Sequence, residues 1–260
     1  MTTGQPPTDL AGHGVLITGG TKGLGLGLAT AFRAAGAHVV VCARNAPVAD
    51  LPDGVHFVAA DLRDPGHAAA TVAAAVDHCG RLDVVVNNAG GSPPSDAATV
   101  SPRFVEKIVA LNLLAPFYVA QRANAVMQEQ RSGGLIINIG SLSGQRPSPG
   151  TAAYGAAKAG LANLTRSLAM EWAPRVRVNA ITVGYLETED SAAHYGDHAA
   201  QAAIADAVPM KRLVRPEDVA AACLFLASPA AAFVTGADLR IDGGGERPTF
   251  LALRDERDRP

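Results

Sequence analysis

The chain has 260 residues, of which 48% are hydrophobic and 18% are charged, and its formal net charge is -2. This composition indicates a globular protein with a large core, and the small net charge argues against a role on nucleic acid or on an anionic membrane. The first ten residues are polar and Pro-rich, and the three cysteines are scattered, so we expect no secretory signal and a cytoplasmic protein.

Apolar runs and helical patterns alternate along the chain. The runs predict strands at residues 14–18, 38–43, 55–60, 82–86, 135–140, 176–181 and 237–241. Between them, the sequence predicts a helix that follows the glycine-rich turn after the first strand and ends at about residue 35, and further helices at about residues 67–78, 102–130, 152–172 and 216–227. This alternation predicts a single α/β domain with a Rossmann-type doubly wound parallel sheet of about seven strands and helices on both faces.

The turn after the first strand is rich in glycine and runs Gly19-Gly20-Thr21-Lys22-Gly23-Leu24-Gly25. Glycines at a strand-to-helix junction let the backbone approach a pyrophosphate, and the helix N-terminus offers unpaired N–H groups. The spacing is GxxxGxG rather than GxGxxG, and glycine clusters often form only turns. The position between a strand and a helix nevertheless favours a dinucleotide site.

The second strand ends without an acidic residue, although a carboxylate there would bind the ribose 2′-hydroxyl of NAD. The sequence instead has Arg44 and Asn45, and Lys22 lies in the glycine-rich turn. Two cations suit a 2′-phosphate, so we predict a preference for NADP(H), with NAD(H) as the alternative cofactor. If both cations are only solvated surface charges, this preference disappears.

A hydroxyl, a phenol and an ammonium are expected to converge around the fifth strand. Ser141 follows that strand, and Tyr154 and Lys158 are four residues apart on the next helix, which places them on one face. Reduction of a ketone needs a proton at oxygen, and a nearby ammonium lowers the pKa of a phenol. We therefore predict Tyr154 as acid and base, Lys158 as the group that tunes it, and Ser141 as a donor to the substrate oxygen.

The predicted helix 102–130 is apolar on more than one face and contains Pro116. Such a helix is buried between layers or subunits, so we expect a homo-oligomer. Proline lacks an N–H for the carbonyl of Asn112, so we expect a kink there with that carbonyl free to hold a water. A tolerated proline beside a helix break is the alternative.

The remaining segments predict the boundaries of the domain. Residues 1–11 are expected to be a flexible start, residues 12–245 the domain, and residues 246–260 a tail that is disordered or lies on a neighbouring subunit. Weak periodicity at residues 185–209 predicts a mobile lid. His194 and His198 within it have a spacing compatible with a metal, but no third ligand suggests itself, so no metal is expected.

The chain resembles the classical short-chain dehydrogenase/reductase family across nearly its whole length. The matching motifs are Thr18 to Gly25, Asn87-Asn88-Ala89-Gly90, Asn112, Ser141 thirteen residues before Tyr154, and Tyr154-Gly155-Ala156-Ala157-Lys158. One departure is Val183-Gly184, where the family usually has Pro-Gly after the sixth strand. Val183 restores an N–H, so the nicotinamide end of the site is expected to have a different shape.

The resemblance implies a catalytic tetrad of Asn112, Ser141, Tyr154 and Lys158, in which the Asn112 carbonyl fixes a water of a proton relay. It also implies that Asp61 contacts adenine, that Thr188 holds the nicotinamide carboxamide, and that the protein is a tetramer. Together, the residues expected to contact the cofactor are Gly19, Thr21, Lys22, Gly23, Leu24, Gly25, Arg44, Asn45, Asp61, Leu62, Asn87, Ala89, Gly90, Tyr154, Lys158, Val183, Gly184, Leu186 and Thr188.

We therefore expect an NAD(P)(H)-dependent oxidoreductase that interconverts a ketone and a secondary alcohol. The alternatives are a 3-oxoacyl thioester reductase as a narrower function, a sugar-nucleotide epimerase or dehydratase that shares the YxxxK pair, and a non-catalytic NADP(H)-binding sensor. The expected partner is a small carbonyl or alcohol substrate. The parts of the chain expected to line its pocket have mixed polarity and select no single substrate: Pro93, Pro94, Gln145, Arg146, Pro147, Tyr185, Leu186 and the lid.

Overall fold

The computed structural model describes residues 9–251 and residue 254. Seven strands form one sheet: β1 Gly14–Thr18, β2 His38–Ala43, β3 Val55–Ala59, β4 Val84–Asn87, β5 Gly134–Ser141, β6 Val176–Val183 and β7 Asp238–Ile241. Their order is β3-β2-β1-β4-β5-β6-β7, and every neighbouring pair is parallel. This architecture confirms the predicted doubly wound sheet.

Eight α-helices lie in the described part of the chain: α1 Gly23–Ala34, α2 Pro65–Cys79, α3 Pro102–Val109, α4 Ala115–Glu129, α5 Ala152–Trp172, α6 Ser191–Tyr195, α7 His198–Ala207 and α8 Pro216–Ala227. Two apolar clusters cover the two faces of the sheet. One contains Leu28 and Phe32 of α1 with Val219 of α8, and the other contains Val72 of α2 with Val119 of α4. Burial on both faces explains why the central strands read as continuous Val, Ile and Leu runs.

The strand order reverses between β1 and β4, because β2 and β3 lie on one side of β1 and the later strands on the other. Ligands of open α/β sheets bind at the carboxyl ends of the strands beside such a reversal. The glycine-rich turn after β1 and Asn88 after β4 therefore meet at this crevice.

The predicted helix 102–130 is interrupted. Between α3 and α4, residues Ala110–Leu114 form a π-helical turn, in which the Ala115 N–H donates to the Ala110 carbonyl. Pro116 has no N–H to continue the regular pattern, which accounts for the irregularity at Asn112. The combined helix Pro102–Glu129 is long and apolar enough to cross a bilayer, but α4 packs on α2 and on β4 and β5 in this fold.

Several predicted boundaries and segments differ from the structure. Strand β6 continues to Val183, because Val183 pairs with both Ser141 and Ile241 where a proline would end the ladder. The lid contains the helices α6 and α7. Leu10 is 1% exposed, so the packed body begins before residue 12. The remainder of the predicted flexible start, residues 1–8, and residues 252–253 and 255–260 of the predicted tail lie outside the described part of the chain.

Candidate active site

A cleft of about 1140 Å³ opens at the carboxyl edge of the sheet. It is lined by the glycine-rich turn, the ends of β2 to β6, the start of α5 and the lid. All of the expected cofactor contacts except Asn87 line this cleft, and so does Ser141. Asn87 and Asn112 lie behind it. The cleft therefore brings together residues from Gly19 to Tyr195.

The glycine-rich turn is closely packed. A Cβ at Gly19 would lie 2.9 Å from the Ala89 Cα, and a Cβ at Gly25 would lie 2.1 Å from the Gly19 carbonyl oxygen. The Asn88 side chain donates to the carbonyls of Thr18 (2.9 Å) and Gly19 (3.1 Å). Only glycine fits at the two turn positions, so the backbone itself forms this wall of the cleft.

Two carboxylates of the lid lie against the start of α1. Glu189 Oε1 accepts a hydrogen bond from the Gly23 N–H over 2.9 Å. The Lys22 ammonium forms an ion pair with Asp190 and lowers the pKa of that carboxyl. The first turn of α1 contains no acidic residue of its own. The anion site at this helix terminus is therefore filled by a side chain that is distant in the sequence.

Arg44 and Asp61 were both expected near the adenosine end of the cofactor. Both line the cleft, but within the described part of the chain only Asp61 is already bonded to another side chain. Arg44 is exposed at the end of β2 and lines the cleft. Asp61 also lines the cleft, but its carboxylate accepts from the Arg63 Nε over 2.9 Å. This hydrogen bond holds the pKa of Asp61 below its ordinary value. The expected adenine contact of Asp61 therefore competes with Arg63.

Ser141 ends β5 and Tyr154 lies in the first turn of α5. The Ser141 Oγ accepts from the Ser143 N–H over 3.2 Å, which orients the connection between the two elements. Burial raises the pKa of the Tyr154 phenol above its ordinary value, and a hydrogen bond with Ser141 opposes this effect. The phenol therefore remains protonated at neutral pH.

Lys158 lies one turn after Tyr154 and is 4% exposed. Its Nζ donates to the Ile139 carbonyl over 2.7 Å and lies 5.7 Å from the centroid of the Tyr154 ring. Burial lowers the pKa of Lys158 from 10.5 to about 8. The expected lowering of the Tyr154 pKa by this ammonium is not seen, because burial of the phenol dominates and the ammonium is directed at a carbonyl.

Asn112 is fully buried and holds the chain that leaves β4. Its side chain donates to the carbonyls of Gly91 (3.0 Å) and Ile108 (2.9 Å) and accepts from the Gly91 N–H (2.8 Å). A Cβ at Gly90 would lie 2.7 Å from the Asn112 Oδ1 and 3.3 Å from the Lys158 Nζ. The Asn112 side chain therefore fixes the backbone beside Lys158.

Asn87 faces the core rather than the cleft. Its Nδ2 donates to the Pro116 carbonyl over 3.1 Å and to the Asn138 Oδ1 over 2.9 Å. Asn138 continues the network to Thr165 on α5 over 2.9 Å. These bonds tie β4, β5, α4 and α5 together, so the Asn87 side chain supports the site from behind.

The nicotinamide end expected from the sequence lies where β6 passes into the lid. Val183, Gly184, Leu186 and Thr188 all line the cleft there. Thr188 lies against the glycine-rich turn, since a Cβ at Gly23 would be 3.3 Å from the Thr188 Cγ2. The start of the lid therefore spans from the sheet edge to the phosphate end of the cleft.

The expected substrate walls are only partly in place. Arg146, Tyr185 and Leu186 line the cleft, but Gln145 turns away and donates to Thr182 and Asp238, each over 3.0 Å. The rest of the lid, which was also expected to form a wall of the pocket, adds His194 and Tyr195 to the cleft. Within residues 9–251 and 254, no three His, Cys, Asp or Glu side chains are close enough to hold a metal.

Residues 19–246 match the profile of the family described as enoyl-(acyl carrier protein) reductase. An uncharacterized oxidoreductase of Mycobacterium tuberculosis is 40% identical over 237 residues, which cover 88% of this chain and 90% of that protein. The chain belongs to the short-chain dehydrogenase/reductase family. It is therefore a dehydrogenase or reductase that acts on alcohols or ketones with NAD(P).

Solved structures of this family share the fold. A putative short-chain alcohol dehydrogenase from Sinorhizobium meliloti has a TM-score of 0.83 at 36% identity, over 94% of this chain and 98% of that one. A 3-ketoacyl-(acyl-carrier-protein) reductase from Brucella melitensis complexed with NADH has a TM-score of 0.82 at 32% identity, over 90% of this chain and 98% of that one.

The residues of this chain fit a dinucleotide. The cleft has sufficient volume, Gly19 and Gly25 leave no room for a side chain, and the start of α1 already accommodates a carboxylate as a hydrogen-bond acceptor. In a short-chain dehydrogenase/reductase these are the features that a pyrophosphate requires.

Proposed function

We propose that this protein is an NADPH-preferring reductase that interconverts a ketone and a secondary alcohol, with Tyr154 as the general acid and base. The observation that supports it is the lining of one cleft by Ser141, Tyr154, Lys158 and the glycine-rich turn. In this arrangement a bound NADP(H) supplies the hydride.

Tyr154 donates a proton to the carbonyl oxygen in reduction and takes it back in oxidation. Burial keeps the pKa of the phenol high, so the proton is present at neutral pH. Ser141 donates a hydrogen bond to the same oxygen and stabilises its developing negative charge. Lys158, with a pKa of about 8, is still mostly charged at pH 7. To stabilise the phenolate that proton donation leaves behind, its ammonium would have to turn from the Ile139 carbonyl toward the phenol oxygen.

Asn112 has a positioning role in this proposal. Its side chain holds the Gly91 backbone, and Gly90 lies between Asn112 and Lys158. The π-helical turn and Pro116 leave the Asn112 main-chain carbonyl without its regular N–H donor. That carbonyl would hold a water that joins Lys158 to solvent.

The NADPH preference rests on Arg44. Its guanidinium is exposed at the rim of the cleft, after β2, and suits a 2′-phosphate. Lys22 contributes less than the sequence predicts, because its ammonium is paired with Asp190.

The reaction is tested by following NADPH and NADH consumption against a broad panel of ketones. With 4-deuterated NADPH, we expect deuterium at the carbinol carbon of the product and a higher kcat/KM for NADPH than for NADH. Consumption of cofactor without label in the alcohol would contradict direct hydride transfer. Equal kcat/KM values would contradict only the cofactor preference.

We also propose a homotetramer located in the cytoplasm. The exposed apolar side chains of Met170, Phe225 and Phe233 support association of the subunits. The free, buried thiols of Cys42 and Cys223 support a reducing compartment. Light scattering should give four times the chain mass of 26.6 kDa, and cell fractionation tests the location. A monomer mass or a membrane-bound fraction would contradict these proposals.

A further inference from the structure

The substrate end of the cleft contains a guanidinium whose donors are only partly used. Arg146 lies five residues after Ser141 and lines the same cleft. Its Nη1 donates to the Pro147 carbonyl over 3.0 Å, and its Nη2 donates to the Tyr185 hydroxyl over 3.3 Å and to Glu246. Its Nε is buried and has no acceptor among residues 9–251 and 254.

A carboxylate binds a guanidinium best through two parallel N–H···O bonds, for example from Nε and the neighbouring Nη. Glu246 uses only the Nη2 position, and its Oε1 also accepts from the Tyr185 hydroxyl. The Arg146 Nε–H is therefore a buried donor without an acceptor in the described part of the chain, which is energetically unfavourable. A carboxylate that filled both positions would bind Arg146 better than Glu246 does.

This cluster lies beside the proposed proton donor. The Tyr185 ring makes an edge contact with Tyr195 at 5.8 Å between centroids, and both rings line the same cleft as Tyr154. A ligand held by Arg146 and Tyr185 would therefore present its other end to Tyr154.

Glu246 can leave this position. It follows Gly243, Gly244 and Gly245, whose φ angles are 65°, 98° and 84°, and its side chain is 36% exposed. A displaced Glu246 is therefore hydrated rather than buried. Exchange of one carboxylate for another also keeps Arg146 neutralised throughout.

We propose that Arg146 and Tyr185 bind a carboxylate of the substrate, and that Glu246 occupies the position of this carboxylate in the free protein. The substrate class is then an oxo acid and the corresponding hydroxy acid. This inference rests on the proposed function, because it assigns the substrate of the same cleft.

The test measures binding rather than turnover. The NADP⁺ complex of the full chain is titrated calorimetrically with 2-oxo-, 3-oxo- and 4-oxopentanoate and with the methyl ester of each, at pH 7. The three acids vary the distance between carbonyl and carboxylate. We expect at least one acid to bind about tenfold or more tightly than its ester, as a charge-assisted hydrogen-bond pair allows.

Two variants locate the effect. Arg146→Gln should bring the ratio of acid to ester affinity close to one, and Glu246→Gln should tighten binding of the acid because the internal competitor is lost. Arg131 is exposed and lies before β5, at the opposite edge of the sheet. Its substitution Arg131→Gln is the control and should keep the wild-type ratio of acid to ester affinity. In turnover experiments the difference between acid and ester should appear in KM.

The inference is overturned if every ester binds as tightly as its acid, if no acid binds, or if Arg146→Gln keeps the ratio. These results leave the proposed function intact, because neutral ketones reduced in a Tyr154-dependent manner would still support it. Conversely, an acid preference that persists in Tyr154→Phe supports the carboxylate site even when no ketone is turned over.

Discussion

The Glu189 carboxylate accepts a hydrogen bond from the Gly23 N–H over 2.9 Å, at the helix terminus that should receive the cofactor pyrophosphate. An internal anion at this position competes with the cofactor. Glu189→Gln should therefore bind NADPH about two- to fivefold more tightly, as expected for one charge at a helix terminus. Fluorescence titration measures this affinity. Glu129→Gln at the far end of α4 is the matched control, and weaker binding by Glu189→Gln would contradict the competition.

Arg44 should determine the cofactor preference more than Lys22. The Lys22 ammonium is already paired with Asp190, whereas Arg44 is exposed at the cleft. We expect Arg44→Leu to lower the NADPH to NADH ratio of kcat/KM by about 10- to 100-fold, the value of one charge-assisted bond. Lys22→Gln should change the ratio less. A larger effect of Lys22→Gln would show that the Asp190 pair opens when NADPH binds.

Because Lys158 is buried, the free energy of unfolding should depend on pH in the alkaline range. Its pKa falls from 10.5 to about 8 on folding, so the unfolded chain binds more protons between these two values. The free energy of unfolding therefore rises with pH between about pH 8 and 10.5, by up to about 3 kcal/mol. Below pH 8 the ammonium is charged in the folded protein, and the full cost of burying it is present. Urea unfolding of Lys158→Met at pH 7.5, 8.5 and 9.5 should lack this rise. The exposed Lys107→Met should retain it, and parallel curves for wild type and Lys158→Met would contradict the assignment.

Asn112→Ala should lower the free energy of unfolding by about 1–3 kcal/mol, because it removes the three hydrogen bonds that the buried Asn112 side chain makes with the backbone of Gly91 and Ile108. The exposed Asn163→Ala on α5 provides the comparison. An unfolding free energy equal to that of wild type would show that the Gly91 contact contributes little.

Much of the fold follows from local patterns. The strands were predictable because parallel strands buried on both faces read as apolar runs, and the convergence of Tyr154 and Lys158 follows from four-residue helical spacing. The carboxyl edge of the sheet then places Ser141 and the glycine-rich turn in one cleft.

The remaining features depend on tertiary contacts. Asn87 pairs in register with Asn138, so their side chains lie on the same face, and packing against α4 and α5 turns them inward. The contact of Glu189 with Gly23 joins residues that are 166 positions apart. Gln145 donates to Asp238 of β7, which is 93 positions away, so its neighbours in the sequence do not indicate this partner. None of these contacts leaves a periodic signal in the sequence.

Replacement of Tyr154 by phenylalanine tests the central claim most directly. The variant keeps the ring that packs in the cleft and removes the proton donor. With NADPH and a ketone that wild type reduces, we expect kcat to fall by about 10²- to 10⁴-fold, the usual contribution of a general acid, while NADPH affinity stays near the wild-type value. A variant that binds NADPH and reduces the ketone at the wild-type rate would contradict the account.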